Sequence, residues 1–505
     1  MSTRTSSLRK TIDHRPIPKS GSGGTIAACI AIVVCMVVVS LCNDASPFSQ
    51  ATTNIDSSVF TYIGSHILQG QMPYTDIFDH KGPYLYLVNA FAYALSPQWG
   101  LWVIEMLFGI TSALLTFFTC RRFAGIAAST VGTVIAYTSM GISLLQGNYT
   151  EQYAMCAMAV TLYCLSGYFF EGHLKRSSCI AIGITAGFVI LLRPNMLAIW
   201  AVFCIAIIMM MIKRGQKADL LPTIGWALVG FVCCVSLPLL WIAIGGAWSD
   251  FIDLYWKFNA EYSATFGTSS FVSTVFWMFR KPTLALACLC VVACIVSDRE
   301  KRSFWICLLV ATLLTVALSS LSGRQYPYYL MAWVALVGLP VARCAQLAFT
   351  RIREKDGPRL FTMALAVVFC IAGLSCFIFN GTRVISTIDY LANSPAQTDL
   401  EGPKGIEEAV LTHSDETDTI AVYNQSTWIY NACRRDAATR YIFLPEDTRL
   451  YIKEDLFYQD IHENHPKLVI MLVADETEAL RNLEGLPGYT QAYRNRDYVL
   501  YETTP

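Results

Sequence analysis

The chain has 505 residues, of which 54% are hydrophobic and only 15% are charged, and its 37 basic residues balance its 37 acidic ones. This composition is too apolar for a soluble globular protein. Many uncharged runs have the length, about 20 residues, that crosses a bilayer core. The sequence therefore predicts an α-helical polytopic membrane protein, and no nucleic-acid partner is expected.

Eleven apolar runs are predicted to be transmembrane helices. They are Thr25–Cys42, Trp99–Cys120, Ala124–Leu145, Gln152–Phe170, Ser177–Leu192, Asn195–Ile212, Leu221–Gly245, Pro282–Val296, Ser303–Ser320, Pro327–Leu347 and Leu360–Phe379. Only Arg193 and Pro194 separate the fifth run from the sixth. A fused helix would be too long for one crossing, and proline disfavours its continuation, so two spans are predicted.

The segments outside the spans differ in composition. The tail, residues 1–24, is basic and rich in serine and glycine, and we expect it to be disordered. Residues 25–379 form the predicted transmembrane domain, with a first outer loop at 43–98. Residues 380–505 alternate strand-like runs with polar helical stretches, which predicts a small soluble α/β domain.

Charge predicts the orientation. If the tail is cytoplasmic, the cytoplasmic connections carry 20 Lys and Arg residues and the outer loops carry 6, a strong positive-inside asymmetry. The N-terminus is then inside the cell membrane and the C-terminal domain is outside. The run Tyr84–Leu95 has only 12 residues between prolines, and counting it as a span would invert every later loop. It is predicted to be an interfacial or re-entrant helix on the outer face.

The first outer loop contains a candidate general base. Asp56 follows Asn54, a good N-cap, and precedes apolar residues spaced for one face of a helix. One interpretation is an acid that complements the helix dipole. The other is a carboxylate held at the membrane surface to accept a proton.

Three of the six outer-loop cations are candidates for one site: Lys81, Arg193 and Arg324. Each alone is compatible with a side chain that reaches the interface. Together with acidic partners, they suggest a site for a lipid-linked phosphate.

The remaining candidate residues lie close to these in sequence. Asp76, Asp79 and His80 are spaced to share one face of a helical turn, so either they contact substrate or they ligate a divalent cation. Gly82 and Pro83 end any such helix and no further ligand is evident, so no metal or other cofactor is expected. The other candidates are Glu151, which could also cap a helix, and Tyr328 and Tyr329, which could also belong to an interfacial aromatic belt.

These elements resemble the bacterial members of the GT-C glycosyltransferase superfamily, which include protein O-mannosyltransferases and enzymes that add aminoarabinose to lipid A. The similarity lies in an acid after the first span, in "GQMPY" followed by "DIFDHKGPYLY", in "TE", in "RPN" and in "GRQYPYY". It covers about residues 25–380. The family lysine element has a second proline where this chain has Gly82, and the second acid that often follows the first is Ser57 here.

The resemblance implies a GT-C-like fold and transfer of a sugar from a polyprenyl phosphate. Asp56 would be the base, and Lys81, Arg193 and Arg324 would bind the donor phosphate. The other candidates would contact the sugar or the acceptor, which could be an envelope polysaccharide, a lipid or a protein. Two other classes stay open: a transporter or lipid flippase, and a membrane-anchored binding protein that acts through the C-terminal domain.

Overall fold

The computed structural model describes residues 22–41, 43, 45–46, 55–139, 147–264, 267–354, 378, 382, 385, 401–423, 426–444 and 454–504. Residues 1–21 of the predicted disordered tail lie outside the described residues. So does nearly all of the eleventh predicted span, and with it the predicted boundary between the two domains.

Helices account for most of the described chain up to residue 354. They are α1 (Ser22–Leu41), α2 (Ile55–Ile67), α3 (Pro83–Leu95), α4 (Gly100–Cys120), α5 (Ile126–Ser139), α6 (Thr150–Glu171), α7 (Arg176–Ile190), α8 (Ala198–Lys213), α9 (Lys217–Ile244), α10 (Trp248–Phe251), α11 (Asn259–Ala264), α12 (Thr268–Phe279), α13 (Pro282–Ser297), α14 (Arg302–Ser320) and α15 (Val334–Glu354). A π-helical segment, Ile252–Phe258, follows α10, and a 3₁₀ segment, Pro327–Trp333, leads into α15.

Ten predicted spans fall wholly or mainly on described residues, and each coincides with an apolar helix. In the described part of the chain, six helices are long and apolar enough to cross a membrane, and α12 with α13 forms a further pair bent by 73°. Three shorter apolar helices, α5, α7 and α8, complete the set. The fold is therefore that of a polytopic helical membrane protein, as predicted, and its orientation stays a prediction.

Glycines allow α7 and α9 to pack at very short range. A Cβ at Gly183 would collide with the backbone of Ala227, and a Cβ at Gly230 would collide with the backbone of Ile180. Small residues permit this close approach between helices in a membrane, where van der Waals contact drives association. The contact fixes the end of α7, where Arg193 begins the next turn.

The short helix predicted at Tyr84–Leu95 is present as α3. Its 13 residues span only about 20 Å at 1.5 Å per residue, too short to cross a bilayer. It packs closely on α2, where a Cβ at Gly64 would meet the backbone of Asn89. Phe91 on another face is 63% exposed. The location of α3 at a membrane interface stays a prediction.

The C-terminal region folds around a mixed five-stranded sheet. Its elements are α16 (Pro403–His413), β1 (Thr419–Val422), α17 (Trp428–Cys433), β2 (Asp436–Ala437), α18 (Glu454–Asn464), β3 (Leu468–Leu472), α19 (Glu476–Asn482), β4 (Tyr489–Arg494) and β5 (Tyr498–Thr503). The strand order is β2-β1-β3-β5-β4. β1 pairs in parallel with β2 and β3, and β5 is antiparallel to β3 and β4. A small α/β domain was predicted here and is found.

The C-terminal domain docks on α2 through polar contacts. The Asn431 side chain donates to the Ser58 carbonyl at 2.8 Å, and the Ala437 N–H donates to the Tyr62 hydroxyl at 2.8 Å. His66 Nε2 lies 3.0 Å from a carboxylate oxygen of Asp436. The helix that carries Asp56 is therefore held by both domains.

Candidate active site

Asp56 lies in the first turn of α2, and its side chain is half-buried. It interacts electrostatically with Asp79 of the following loop and with Tyr328 of the 3₁₀ segment before α15. Segments separated by more than 250 residues in sequence therefore meet at this carboxylate. The role of Asp56 as the acidic group of a membrane-surface site stays a prediction.

A buried polar network holds the start of α2 in place. The Asn148 amide donates to the Ser57 hydroxyl at 3.1 Å and to the side chain of Asn89 at 2.8 Å, and its oxygen accepts a bond of 2.8 Å from the Tyr153 hydroxyl. The Asn148 backbone N–H donates to the carboxylate of Glu105, which is 2% exposed within α4. Because unpaired polar groups are costly in such an interior, the network fixes the residue next to Asp56.

Lys81 is positioned by its own loop and by α3. Its carbonyl accepts from the Tyr74 hydroxyl at 2.8 Å, and its N–H donates to the Tyr86 hydroxyl at 3.0 Å. Its ammonium lies 3.0 Å from His80 Nε2. The Tyr86 hydroxyl also donates to the buried Asp79 carboxylate at 2.8 Å, and Asp79 lies 3.4 Å from His80 Nδ1. These contacts hold the ammonium in one place.

Gly82 lets the Lys81 loop pack against the end of α7. Its φ of −71° suits any residue, so its small size and not its flexibility matters here. A Cβ at this position would collide with the Leu191 carbonyl and lie 2.8 Å from Leu192 Cα. The Tyr84 N–H donates to that same carbonyl at 3.3 Å. The close approach brings Lys81 towards Arg193, two residues beyond Leu191.

Gly82→Ala should therefore lower the thermal unfolding midpoint of the purified protein and impair its activity. Insertion of a methyl group against backbone costs about 1–3 kcal/mol in a well-packed interior. Gly225→Ala is the matched control, because a Cβ there meets nothing within 4 Å. If both variants unfolded at the wild-type temperature, the loop would not need this close contact.

Arg193 forms a buried ion pair at the start of α6. Its guanidinium lies 2.9 Å from a Glu151 carboxylate oxygen and donates to the Thr150 hydroxyl at 3.1 Å and to the Asn195 side chain at 3.1 Å. The guanidinium carbon also lies 4.9 Å from the centre of the Tyr329 ring. Glu151 is 1% exposed, so the ion pair is shielded from solvent and orients Arg193. Removal of either partner would leave a buried charge.

The three predicted phosphate-binding cations all act electrostatically on His80, and the Lys81 ammonium also contacts it. Burial lowers the pKa of His80 well below its usual value, and the positive charges of Lys81, Arg193 and Arg324 lower it further. The imidazole is therefore neutral at physiological pH and can accept a hydrogen bond from the Lys81 ammonium. Burial raises the pKa of Asp79, while Lys81 and the Tyr86 hydroxyl oppose that rise.

Aromatic rings line the side of the site that Arg324 occupies. Arg324 donates to the Tyr326 hydroxyl at 2.5 Å. The Tyr328 ring stacks between Tyr326, at 5.1 Å, and Tyr149, at 4.2 Å. The predicted Tyr328 and Tyr329 thus lie beside the cations, Tyr329 against Arg193 and Tyr328 near Asp56. The stacked rings form a flat, largely apolar surface beside the charged side chains.

Asp76 lies outside these contacts. Its carboxylate accepts from the Met72 backbone N–H at 2.7 Å and is exposed, so it stabilises its own turn. In the described part of the chain, no three His, Cys, Asp or Glu side chains are grouped so as to hold a metal ion. Of the two His80 nitrogens, Nε2 contacts the Lys81 ammonium and Nδ1 lies beside the Asp79 carboxylate. The substrate-binding and metal assignments stay predictions.

We therefore expect that removal of divalent cations with EDTA leaves the activity of the purified protein largely intact. Lys81 already supplies positive charge where a metal bound to His80 and Asp79 would supply it. Activity should be measured after chelation and after adding back Mg²⁺ or Mn²⁺. Activity lost in EDTA and restored by either ion would assign these side chains to a metal site.

Sequence reasoning missed the residues that position the site. Asn148 has a left-handed backbone with φ of 59°, a conformation that asparagine tolerates well. The sequence Gly147-Asn148 was a signal for such a turn. Glu105 is the one clear ionisable residue inside the predicted spans, and that isolation was the other usable signal. No residue near His66 in the sequence indicated that the C-terminal domain would pack against it.

The fold is similar to that of ArnT, whose crystal structure is known in two states. A crystal structure of ArnT from Cupriavidus metallidurans bound to undecaprenyl phosphate matches with a TM-score of 0.61, over 95% of this chain and 98% of that chain, at 11% identity. The apo form of the same protein matches with a TM-score of 0.59 at 10% identity, over the same shares of the two chains. No curated protein matches the sequence.

The chain belongs to the family of the competence-induced protein Ccs4 N-terminal domain, whose profile matches residues 25–341. That range includes every predicted site residue, from Asp56 to Tyr329. The C-terminal sheet domain lies beyond it.

Proposed function

We propose that this protein transfers a sugar from a polyprenyl phosphate to an acceptor hydroxyl in the cell envelope, on the outer face of the membrane. The observation that carries the proposal is the contact of the Lys81 ammonium with His80 at 3.0 Å, at a histidine on which the charges of Arg193 and Arg324 also act. Asp56 acts electrostatically on Asp79, the residue next to that histidine. Three cations that act on one buried side chain can stabilise a phosphate that gains negative charge as it leaves. A nearby carboxylate suits removal of the acceptor proton.

The proposed reaction balances with these groups alone. The acceptor oxygen forms a bond to the anomeric carbon of the sugar as the bond from that carbon to the phosphate oxygen breaks. The electron pair of the broken bond goes to the polyprenyl phosphate, which the cations stabilise. The acceptor proton goes to Asp56. Attack from the side opposite the phosphate inverts the anomeric centre.

Two features support a lipid-linked donor. The ArnT structure of similar fold was solved with undecaprenyl phosphate, a lipid-linked phosphate. The cations Lys81 and Arg193 of this chain lie at the ends of helices and not at mid-helix. The phosphate of a lipid embedded in one leaflet would lie at the level of those helix ends. The identity of the sugar and the acceptor follow from neither feature.

The proposal is tested by incubating purified protein in membranes with radiolabelled polyprenyl-phosphate sugars and an extract of envelope acceptors. Labelled product and free polyprenyl phosphate should appear together. A flippase would move the labelled donor between leaflets without releasing polyprenyl phosphate. That result, or no product with any donor, would overturn the proposed transferase.

A further inference from the structure

A cavity lies at the end of α6 that is remote from Thr150 and Glu151. It has a volume of 310 Å³ and is lined mainly by the ends of α6 to α9. α6 begins at Thr150, next to Glu151 of the candidate active site, and its 22 residues rise about 33 Å towards this cavity. That distance is close to the thickness of the hydrocarbon core, about 30 Å. The cavity therefore lies at the level of the other membrane surface.

The cavity is built by contacts between its two turns. The Tyr168 hydroxyl of α6 donates to the Gln216 side chain at 2.7 Å, which joins the turn after α8 to the end of α6. The Arg176 guanidinium lies 3.3 Å above the centre of the Trp226 ring of α9. The Arg214 guanidinium lies 5.2 Å from the Tyr168 ring. Each stacked guanidinium keeps N–H donors along its edge that can meet an anion.

The positive charge around the cavity is not balanced by the described residues. Five cations lie on its two turns: Lys175, Arg176, Lys213, Arg214 and Lys217. Asp219 is the acid of the lining, and His173 is a further titratable group there. Glu171, at the end of α6, is already paired with Arg122 at 2.9 Å. The local excess of cations favours an anionic ligand.

The face of α9 next to the cavity carries exposed apolar side chains, which indicates the kind of anion that would bind. Val229 is 47% exposed and Leu237 is 71% exposed, three and eleven residues after Trp226 and therefore on the face of α9 that adjoins the cavity. An exposed apolar surface of this kind on a membrane helix faces acyl chains. A molecule with a negative head and apolar tails would satisfy both surfaces at once. A free phosphate would satisfy only the first.

We propose that this cavity binds the phosphate headgroup of an anionic phospholipid, in the leaflet opposite the one that Asp56 faces. Arg176, which lines the cavity, donates to the phosphate, and Arg214, beside the lining residue Tyr168, adds positive charge next to it. The acyl chains lie along α9. Basic pockets between helices at a membrane surface recognise lipid head groups in this manner. The site is independent of the sugar transfer proposed above.

The test compares lipids bound to delipidated, full-length protein by native mass spectrometry. Phosphatidylglycerol should bind in preference to phosphatidylcholine. Removing both charges, in Arg176→Gln with Arg214→Gln, should weaken phosphatidylglycerol binding about 25-fold, since each cation near the surface contributes roughly 1 kcal/mol. Replacing both by lysine should retain much of the affinity and shows that the effect follows charge.

Lys281→Gln is the matched control, because the Lys281 ammonium lies 4.4 Å above the Trp277 ring but borders a different pair of helices. It should bind phosphatidylglycerol like the wild type. Equal binding of the two lipids, or undiminished binding by the doubly substituted glutamine variant, would overturn the proposal. So would full displacement of phosphatidylglycerol by millimolar inorganic phosphate, which would indicate a site for the soluble anion.

Discussion

Asp56→Asn should reduce turnover about 100-fold or more, the usual scale for loss of a positioned base, while donor affinity stays near the wild-type value. Asparagine keeps the size and hydrogen bonding of the side chain but cannot accept a proton. Ser57, held by Asn148 at 3.1 Å, would keep the start of α2 in place in the variant. Turnover and donor binding should be measured on the same purified samples.

Asp253→Asn is the matched control, since it makes the same change to an exposed carboxylate that pairs with Lys257 one helical turn away and is not a candidate site residue. It should leave turnover unchanged. If Asp56→Asn kept near-normal turnover, the base would have to be Asp79 or Glu151. Both are less suited to it, because Asp79 accepts from Tyr86 and Glu151 is paired with Arg193 at 2.9 Å.

Lys81→Ala should weaken donor binding and slow transfer together, each by about tenfold or more, because a hydrogen bond to a charged group contributes about 1.5–3 kcal/mol. The lysine charge meets the phosphate before and during the reaction, so affinity and rate both depend on it. Lys81→Arg should recover part of both, since the charge is kept although the contact with His80 changes.

Lys257→Ala serves as the control for loss of a lysine on the same predicted face. Lys257 is exposed and pairs with Asp253 at 2.6 Å, one helical turn away. Its loss should change neither affinity nor rate. If Lys81→Ala bound the donor normally, Lys81 would instead be a side chain that only reaches the membrane interface.

The sequence predicted the helices well because their signals are local. The run Tyr84–Leu95 was assigned as a short helix from its length and flanking prolines, and α3 covers Pro83–Leu95. The break at Arg193 was predicted from one proline and two long apolar runs, and the structure places a turn there. Both assignments depend on a few adjacent residues.

The site was less accessible to sequence reasoning because its contacts are distant in the chain. Lys81, Arg193 and Arg324 were grouped by charge, rarity and resemblance, and in the structure the charges of all three act on His80. Nothing in the sequence indicated that Asp79 would be buried against Tyr86 while Asp76 stayed exposed. That difference depends on the path of one loop, which hydrophobic periodicity does not encode.

The docking of the C-terminal domain on α2 limits how freely the parts of this protein can be exchanged. A 13-residue helix is marginal in isolation, so α2 depends on its neighbours for its conformation. A chimera that received the sheet domain of a relative would need complementary partners for Tyr62 and His66, four residues apart on one face of α2. We therefore expect the sheet domain and α2 to be exchangeable only together, although they are far apart in the sequence.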